Sequence, residues 1–340
     1  MSIIASPISL AYNESPFAPA DAVRRVIEND LPRLSAYVSD GITELKRLIA
    51  AQERIDPSQI VLGEILPVIG LYLSAKGGPG GTFLYATPGY TALVDAVTPL
   101  GGRAFGIPLT DNLANDFDAF EHRANADTRA IYLVNPHNPT GIVADQAAFL
   151  TFVKRLSERA LVIIDEAYLD FLPDFEQRSA APLVSSGARV IVVRTFAKLH
   201  GLAGLAFGYA LAPRDLANDL HRLGIDAFYS VNRLAVAAAI ASLEDPAHLA
   251  KVRNQIAAER ETWHDLFRTL GARFTDSRGN FVFFDAKRPH AEVAAALAQR
   301  GVLIGRSHPP LDHWVRISIG THDQNETARS VVADLLRSAG

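Results

Sequence analysis

Three polar clusters sit just past three apolar, β-branched runs. Asn138 follows AIYLV (130–134), Asp165 and Tyr168 follow LVII (161–164), and Lys198 follows VIVV (190–193). Runs of this length and composition read as buried strands. The carboxyl ends of parallel strands converge on one crevice in open α/β sheets, so the three clusters can face one ligand. A lysine amine forms a Schiff base with an aldehyde. A buried aspartate can hold a protonated pyridine nitrogen and so turn the ring into an electron sink. Asparagine and tyrosine can both hydrogen-bond a phenolate oxygen. Together these are the needs of pyridoxal 5′-phosphate chemistry. Each residue also has a plainer reading: a solvated loop lysine, an aspartate capping a helix, a turn asparagine beside a proline and a tyrosine packed in the core.

The elements that must position these groups follow from spacing. Residues 1–19, with Pro7, Pro16 and Pro19, read as an irregular arm. A short helix is predicted over 21–29, and Ile42, Leu45, Leu48 and Ile49 have helical spacing. A short apolar run at 60–62 precedes a helix at 67–75. Strands are then predicted at 82–86, 102–108, 130–134, 161–164, 190–193 and 207–212, with helices at 91–99 and 147–157 among them. Such alternation implies a mostly parallel sheet covered on both faces. Beyond about residue 213 the pattern becomes helical, with strands at 280–285, 302–304 and 314–319 and a closing helix at 324–337. The expected organisation is an N-terminal arm (1–30), a large cofactor-binding domain (31–239) and a smaller C-terminal α+β domain (240–340).

The totals exclude several classes. A chain of 340 residues suits two domains, and 49% hydrophobic with 21% charged residues is ordinary for a globular protein. A net charge of −4 gives no basic surface for nucleic acid. The absence of cysteine removes disulfides, thiolate metal sites and cysteine nucleophiles together. No apolar stretch reaches membrane-spanning length, and MSIIASPISLAYNESPFAP lacks the pattern of a signal peptide. A cytoplasmic location without membrane or nucleic-acid partners is the expectation.

The motifs NPHNPTG (135–141), DEAY (165–168) and RTFAKLHGLAGLAFGY (194–209) resemble the signatures of class I/II aminotransferases of fold type I. The chain is most similar to the histidinol-phosphate aminotransferase-like branch. The likeness continues through YNESPF (12–17), ATPGY (86–90) and WVRISIGTHDQN (314–325), in the family's order and over nearly the whole chain. The resemblance implies an α/β fold of type I with a mostly parallel seven-stranded sheet. It implies pyridoxal 5′-phosphate as cofactor, an amino acid and a 2-oxo acid as substrates, and a homodimer. By resemblance Lys198 carries the cofactor and moves the proton, Asp165 pairs with the ring nitrogen, and Asn138 and Tyr168 contact its O3′. Tyr90 would stack on the ring, or simply pack in the core. Arg316 would hold the substrate carboxylate by a bidentate pair, where the plainer reading is an exposed strand residue. Tyr37 would reach the cofactor phosphate of the neighbouring subunit. Arg306, in LIGRSHPP, is either a second substrate-binding cation favouring an acidic or phosphorylated side chain or a surface residue.

The departures from the family concern phosphate. Ile65-Leu66-Pro67-Val68 stands where the family has a polar turn at a helix start, Ala197 where it has serine before the lysine, and Ala206 where it has an arginine. Arg194, His200, Arg24 and Arg25 are candidate replacements. The expected activity is an aminotransferase acting through a Lys198 Schiff base with pyridoxal phosphate. The alternatives are a lyase or decarboxylase of the same fold, and a paralogue binding a different ligand.

Overall fold

A computed structural model describes residues 7–38, 40–76 and 80–338. Eleven strands are used here: β1 (Ile8–Leu10), β2 (Ile60–Gly63), β3 (Thr82–Thr87), β4 (Arg103–Pro108), β5 (Thr128–Val134), β6 (Leu161–Asp165), β7 (Val190–Thr195), β8 (Gly208–Leu211), β9 (Phe281–Asp285), β10 (Val302–Ile304) and β11 (Trp314–Ser318). Seven of them form one sheet in the order β2-β8-β7-β6-β5-β3-β4. All neighbours are parallel except β8, which runs antiparallel to both β2 and β7. The sheet is apolar on both faces because strand side chains alternate. Leu84, Ile131, Leu133, Val162, Ile164, Val190 and Val192 point to one side, where the helices Asp40–Glu53, Gln146–Ser157 and Arg233–Leu243 cover them. Phe83, Ala130, Tyr132, Val134, Ile163, Ile191 and Val193 point to the other, under Ile65–Ala75, Ala92–Val97 and Arg214–Arg222.

A second core lies over the C-terminal part of the chain. There β9 and β11 pair antiparallel, and the helices Pro246–Thr269, His290–Gln299 and His322–Arg337 pack around Trp263, Phe267, Phe281 and Phe284. Tyr168 and Leu199, from the loops after β6 and β7, belong to this second core. The two cores therefore meet at the sheet's carboxyl edge. The N-terminal arm is not wholly irregular: Ile8–Leu10 forms β1, parallel to β10, with Leu10 buried in the second core. Three residues between prolines carry too little pattern to announce a strand whose partner lies at the far end of the chain. Among the described residues no helix is long and apolar enough to cross a membrane.

Candidate active site

The carboxyl ends of β5, β6 and β7 open on a cleft of about 510 Å³. Asn138, Asp165, Tyr168 and Lys198 all line it, as do Tyr90, Arg306 and Arg316. Local structure explains the placement. Asp165 is the last residue of β6 and buried. Past β7, the Ala197 amide donates to Thr195 Oγ1 at 3.0 Å and the Gly201 amide to the Lys198 carbonyl at 3.1 Å, a turn that presents the lysine. In NPHNPTG, Gly141 has φ +71°, and a Cβ there would lie 1.9 Å from Ser277 Oγ, so the loop requires glycine.

Both oxygens of Asp165 are braced. Oδ1 accepts from the Ala167 amide at 3.0 Å and Oδ2 from the Tyr132 hydroxyl at 2.9 Å. Burial nevertheless pushes its carboxyl above the usual range, against the pull of these bonds and of Lys198. A carboxylate in this state gains from a cation placed against it. Tyr132 keeps its own proton, because burial and the facing Asp165 raise its phenol well above 10. The Tyr168 oxygen accepts from Asn138 Nδ2 at 3.2 Å and from Asn13 Nδ2 at 3.1 Å. The Tyr90 ring is half-exposed at the cleft, its phenol pushed up to about 12 by desolvation and by Asp165.

The segment after β1 ties the cleft together. The Tyr12 carbonyl accepts from Lys198 Nζ at 3.0 Å, and the Ala11 carbonyl from Arg316 Nη2 at 2.9 Å. Asn13, at φ +54°, is locked by Ser318 and Asn280. Arg316 also donates from Nη1 to Asn138 Oδ1 at 2.6 Å, while its Nε is buried without a partner. Arg306 lies beside it, and the two cations help burial push the neighbouring His308 down to about 3. The positive groups Arg306 and Arg316 thus lie together in the lining of the cleft.

Gly63, Glu64, Ile65 and Leu66 also line the cleft, at the N-terminus of the helix Ile65–Ala75. Glu64 stands at the N-cap with no side-chain capping hydrogen bond. Its carboxyl is raised by desolvation within the cleft and by Asp165, with Lys198 opposing. The proposed replacement cations are engaged elsewhere. Arg194 is buried, with its guanidinium on Glu166 (2.9 Å), Asp170 (2.6 Å) and Glu53 (3.6 Å). His200 is buried, pushed down to about 4 by burial, and pairs through Nδ1 with Ser242 Oγ at 2.8 Å. Arg24 pairs with Asp21 and Glu28 on an exposed helix face. Neither Arg24 nor Arg25 lines the cleft.

Tyr37 lies outside the cleft of its own chain, 69% exposed, with its ring edge-on to Phe228 at 5.5 Å. Tyr132, Asn13 and Glu64 were not singled out from sequence. Tyr132 had a signal, as the one hydroxyl in the apolar run AIYLV (130–134). Asn13 lay within a family-like motif without a role, and Glu64 looked like an ordinary acidic residue before a helix.

A family model described as "Aminotransferase class I and II" matches residues 6–332. The chain is 32% identical over 336 residues to a histidinol-phosphate aminotransferase of Moorella thermoacetica, covering 97% of this chain and 85% of that protein. It is 30% identical over 323 residues to the enzyme of that name from Caldicellulosiruptor saccharolyticus, covering 94% and 88%. Its structure matches that of histidinol-phosphate aminotransferase from Sinorhizobium meliloti in complex with pyridoxal 5′-phosphate, with a TM-score of 0.87, 27% identity and coverage of 98% and 92%.

Proposed function

The chain belongs to the class I and II aminotransferases, a pyridoxal-phosphate-dependent family, and we propose that it moves an amino group between an L-amino acid, or an amine phosphate, and a 2-oxo acid by way of Lys198. The observation that carries this reading is the convergence of Lys198, Asp165, Tyr168, Asn138 and Arg316 on one cleft at the strand ends. A pyridoxal-type ring supplies the electron sink for the carbon that loses its proton. The chain's groups fit that ring. Asp165, buried and raised, would hold a protonated ring nitrogen, Tyr168 and Asn138 would hydrogen-bond its phenolate oxygen, and Tyr90 would pack against the ring.

Lys198 is both the attachment point and the group that carries a proton to and from the substrate carbon. Arg316 holds the substrate carboxylate, its unpartnered Nε among the donors available. Arg306 beside it favours a substrate whose side chain ends in an acid or a phosphate. Tyr37, exposed next to Phe228 and Tyr229, belongs in this proposal to a homodimer interface from which it reaches the neighbouring site. The test is borohydride reduction of protein incubated with pyridoxal-type carbonyls, followed by peptide mapping, together with an assay for 2-oxo acid release from amino donors. The expected result is ring attached to Lys198 and turnover abolished in Lys198→Ala. Appreciable transamination by Lys198→Ala would overturn the assignment.

A further inference from the structure

We propose that this cleft takes the pyridoxal-type ring with an uncharged 5′-hydroxymethyl arm, and that Glu64 selects against a phosphate dianion on that arm. The inference rests on the aminotransferase reading above, because it concerns the same ring at Lys198 and Asp165.

A helix N-terminus ordinarily receives an anion through its free amide groups and its dipole. At the helix Ile65–Ala75 the chain supplies an anion of its own, the Glu64 carboxylate, which no capping hydrogen bond engages. The next two side chains, Ile65 and Leu66, are buried hydrocarbon, and Pro67 has no amide hydrogen. Ala197 offers no hydroxyl beside the lysine. Ala206, in left-handed conformation at φ +46°, lies outside the lining of the cleft. Arg194 is committed to Glu53, Glu166 and Asp170. The remaining cations of the cleft, Arg306 and Arg316, are not among the charges acting on Glu64.

Among the charged groups acting on Glu64, a phosphate placed against this helix would therefore meet the carboxylates Glu64 and Asp165 with only Lys198 to oppose them. Each charge-assisted contact that is missing removes roughly a ten- to hundredfold factor in affinity, and like charge adds to that loss. A hydroxymethyl arm reverses the balance. Its O–H donates to the Glu64 carboxylate, the apolar walls of Ile65 and Leu66 take its carbon, and no charge is left unmatched.

The experiment compares two pairs of probes on the purified full chain. Calorimetry with pyridoxamine and pyridoxamine 5′-phosphate reads the arm alone, without covalent attachment. Borohydride labelling with pyridoxal and pyridoxal 5′-phosphate, read by mass at Lys198, reports the attached form. The expected result is tighter binding of pyridoxamine than of its phosphate by tenfold or more, and Lys198 labelled by pyridoxal at lower concentration than by its phosphate. In Glu64→Gln, binding of the phosphorylated probe should strengthen at least tenfold while that of the unphosphorylated probe does not. Preference for the phosphorylated probe with Lys198 labelled would overturn this inference and leave the aminotransferase reading standing. A Glu64→Gln variant that binds the phosphorylated probe no better would overturn the role of Glu64. Labelling of Lys198 by neither carbonyl would overturn both the inference and the reading it rests on.

Discussion

Tyr132→Phe is the most direct probe of how the site works, because it deletes one hydroxyl and keeps the buried ring. In the wild-type chain that hydroxyl donates to Asp165 Oδ2 at 2.9 Å; after the change Asp165 keeps only the Ala167 amide, at 3.0 Å to Oδ1. Asp165 is already raised by burial, so losing a donor raises it further and weakens its hold on a ring cation. A hydrogen bond to an ionised group contributes about 1.5–3 kcal/mol, which corresponds to a fall of roughly ten- to hundredfold in kcat/KM if the bond acts fully in the transition state. The assay is kcat/KM for one amino donor across pH. A thermal melt accompanies it to confirm that the variant is folded. The acid limb of the profile should move to higher pH as well as fall. Because the hydroxyl is argued to act through the carboxylate, the same substitution made on an Asp165→Asn background should cost little more. Kinetics within twofold of wild type at every pH, or a loss that simply adds to that of Asp165→Asn, would refute the reasoning.

Three further outcomes are expected. Arg194→Met should lower unfolding stability in urea by about 3–5 kcal/mol, with no cofactor added, since it leaves the buried Glu53 and Glu166 and the half-buried Asp170 without their counter-charge; an unchanged midpoint with lost cofactor affinity would return Arg194 to a ligand-binding role. Stability should fall with acid between about pH 6.5 and 4.5. Burial holds His137 and His308 down to about 3 and His200 and His264 to about 4. The unfolded chain therefore binds protons that the native one refuses, while Glu166, raised by burial to about 7, and Asp165 and Glu64, also raised by burial, work the other way. The four histidines outweigh these three carboxylates, so unfolding near pH 5 takes up protons on balance, and stability that stays flat over this window would contradict it. Arg316→Lys should raise KM for the amino donor tenfold or more with a smaller change in kcat, because an ammonium cannot pair with a carboxylate in two parallel bonds; an unaltered KM would place the substrate carboxylate elsewhere.

What could be read from the chain beforehand divides along physical lines. The central sheet was legible because its strands are buried on both faces and so are written as continuous β-branched runs, and the groups at their ends follow directly in sequence. Lys198, Asp165, Tyr168 and Asn138 could be brought to one crevice from strand order alone. Tyr132 could not, because an inward hydroxyl differs from an ordinary core tyrosine only by what lies opposite it, and Asp165 is its neighbour across β5 and β6 rather than along the chain. The carbonyls of Ala11 and Tyr12, which receive Arg316 and Lys198, carry no side-chain signature at all. Arg194 misled for a related reason. Its position before the lysine suggested a ligand, but an arginine at the end of a buried strand can turn either way, and three carboxylates from elsewhere in the chain decide its direction.

The polar accounting of the cleft bears on which part of a ligand it is shaped for. Buried groups in a folded chain are almost all paired, and those that are not mark strain or a function. Here Arg316 Nε and His308 Nε2 are without partners in the lining of the cleft, and Asp165 is raised despite two donors. A flat cationic ring set against Asp165 and a carboxylate set against Arg316 would relieve these groups together. Nothing comparable awaits at the helix Ile65–Ala75, where Glu64 already supplies the negative charge that the helix end favours. The demands left open at Asp165 and Arg316 are ones that a cationic ring and a carboxylate would answer, and the helix end beside Glu64 adds no cation for a phosphate on the ring.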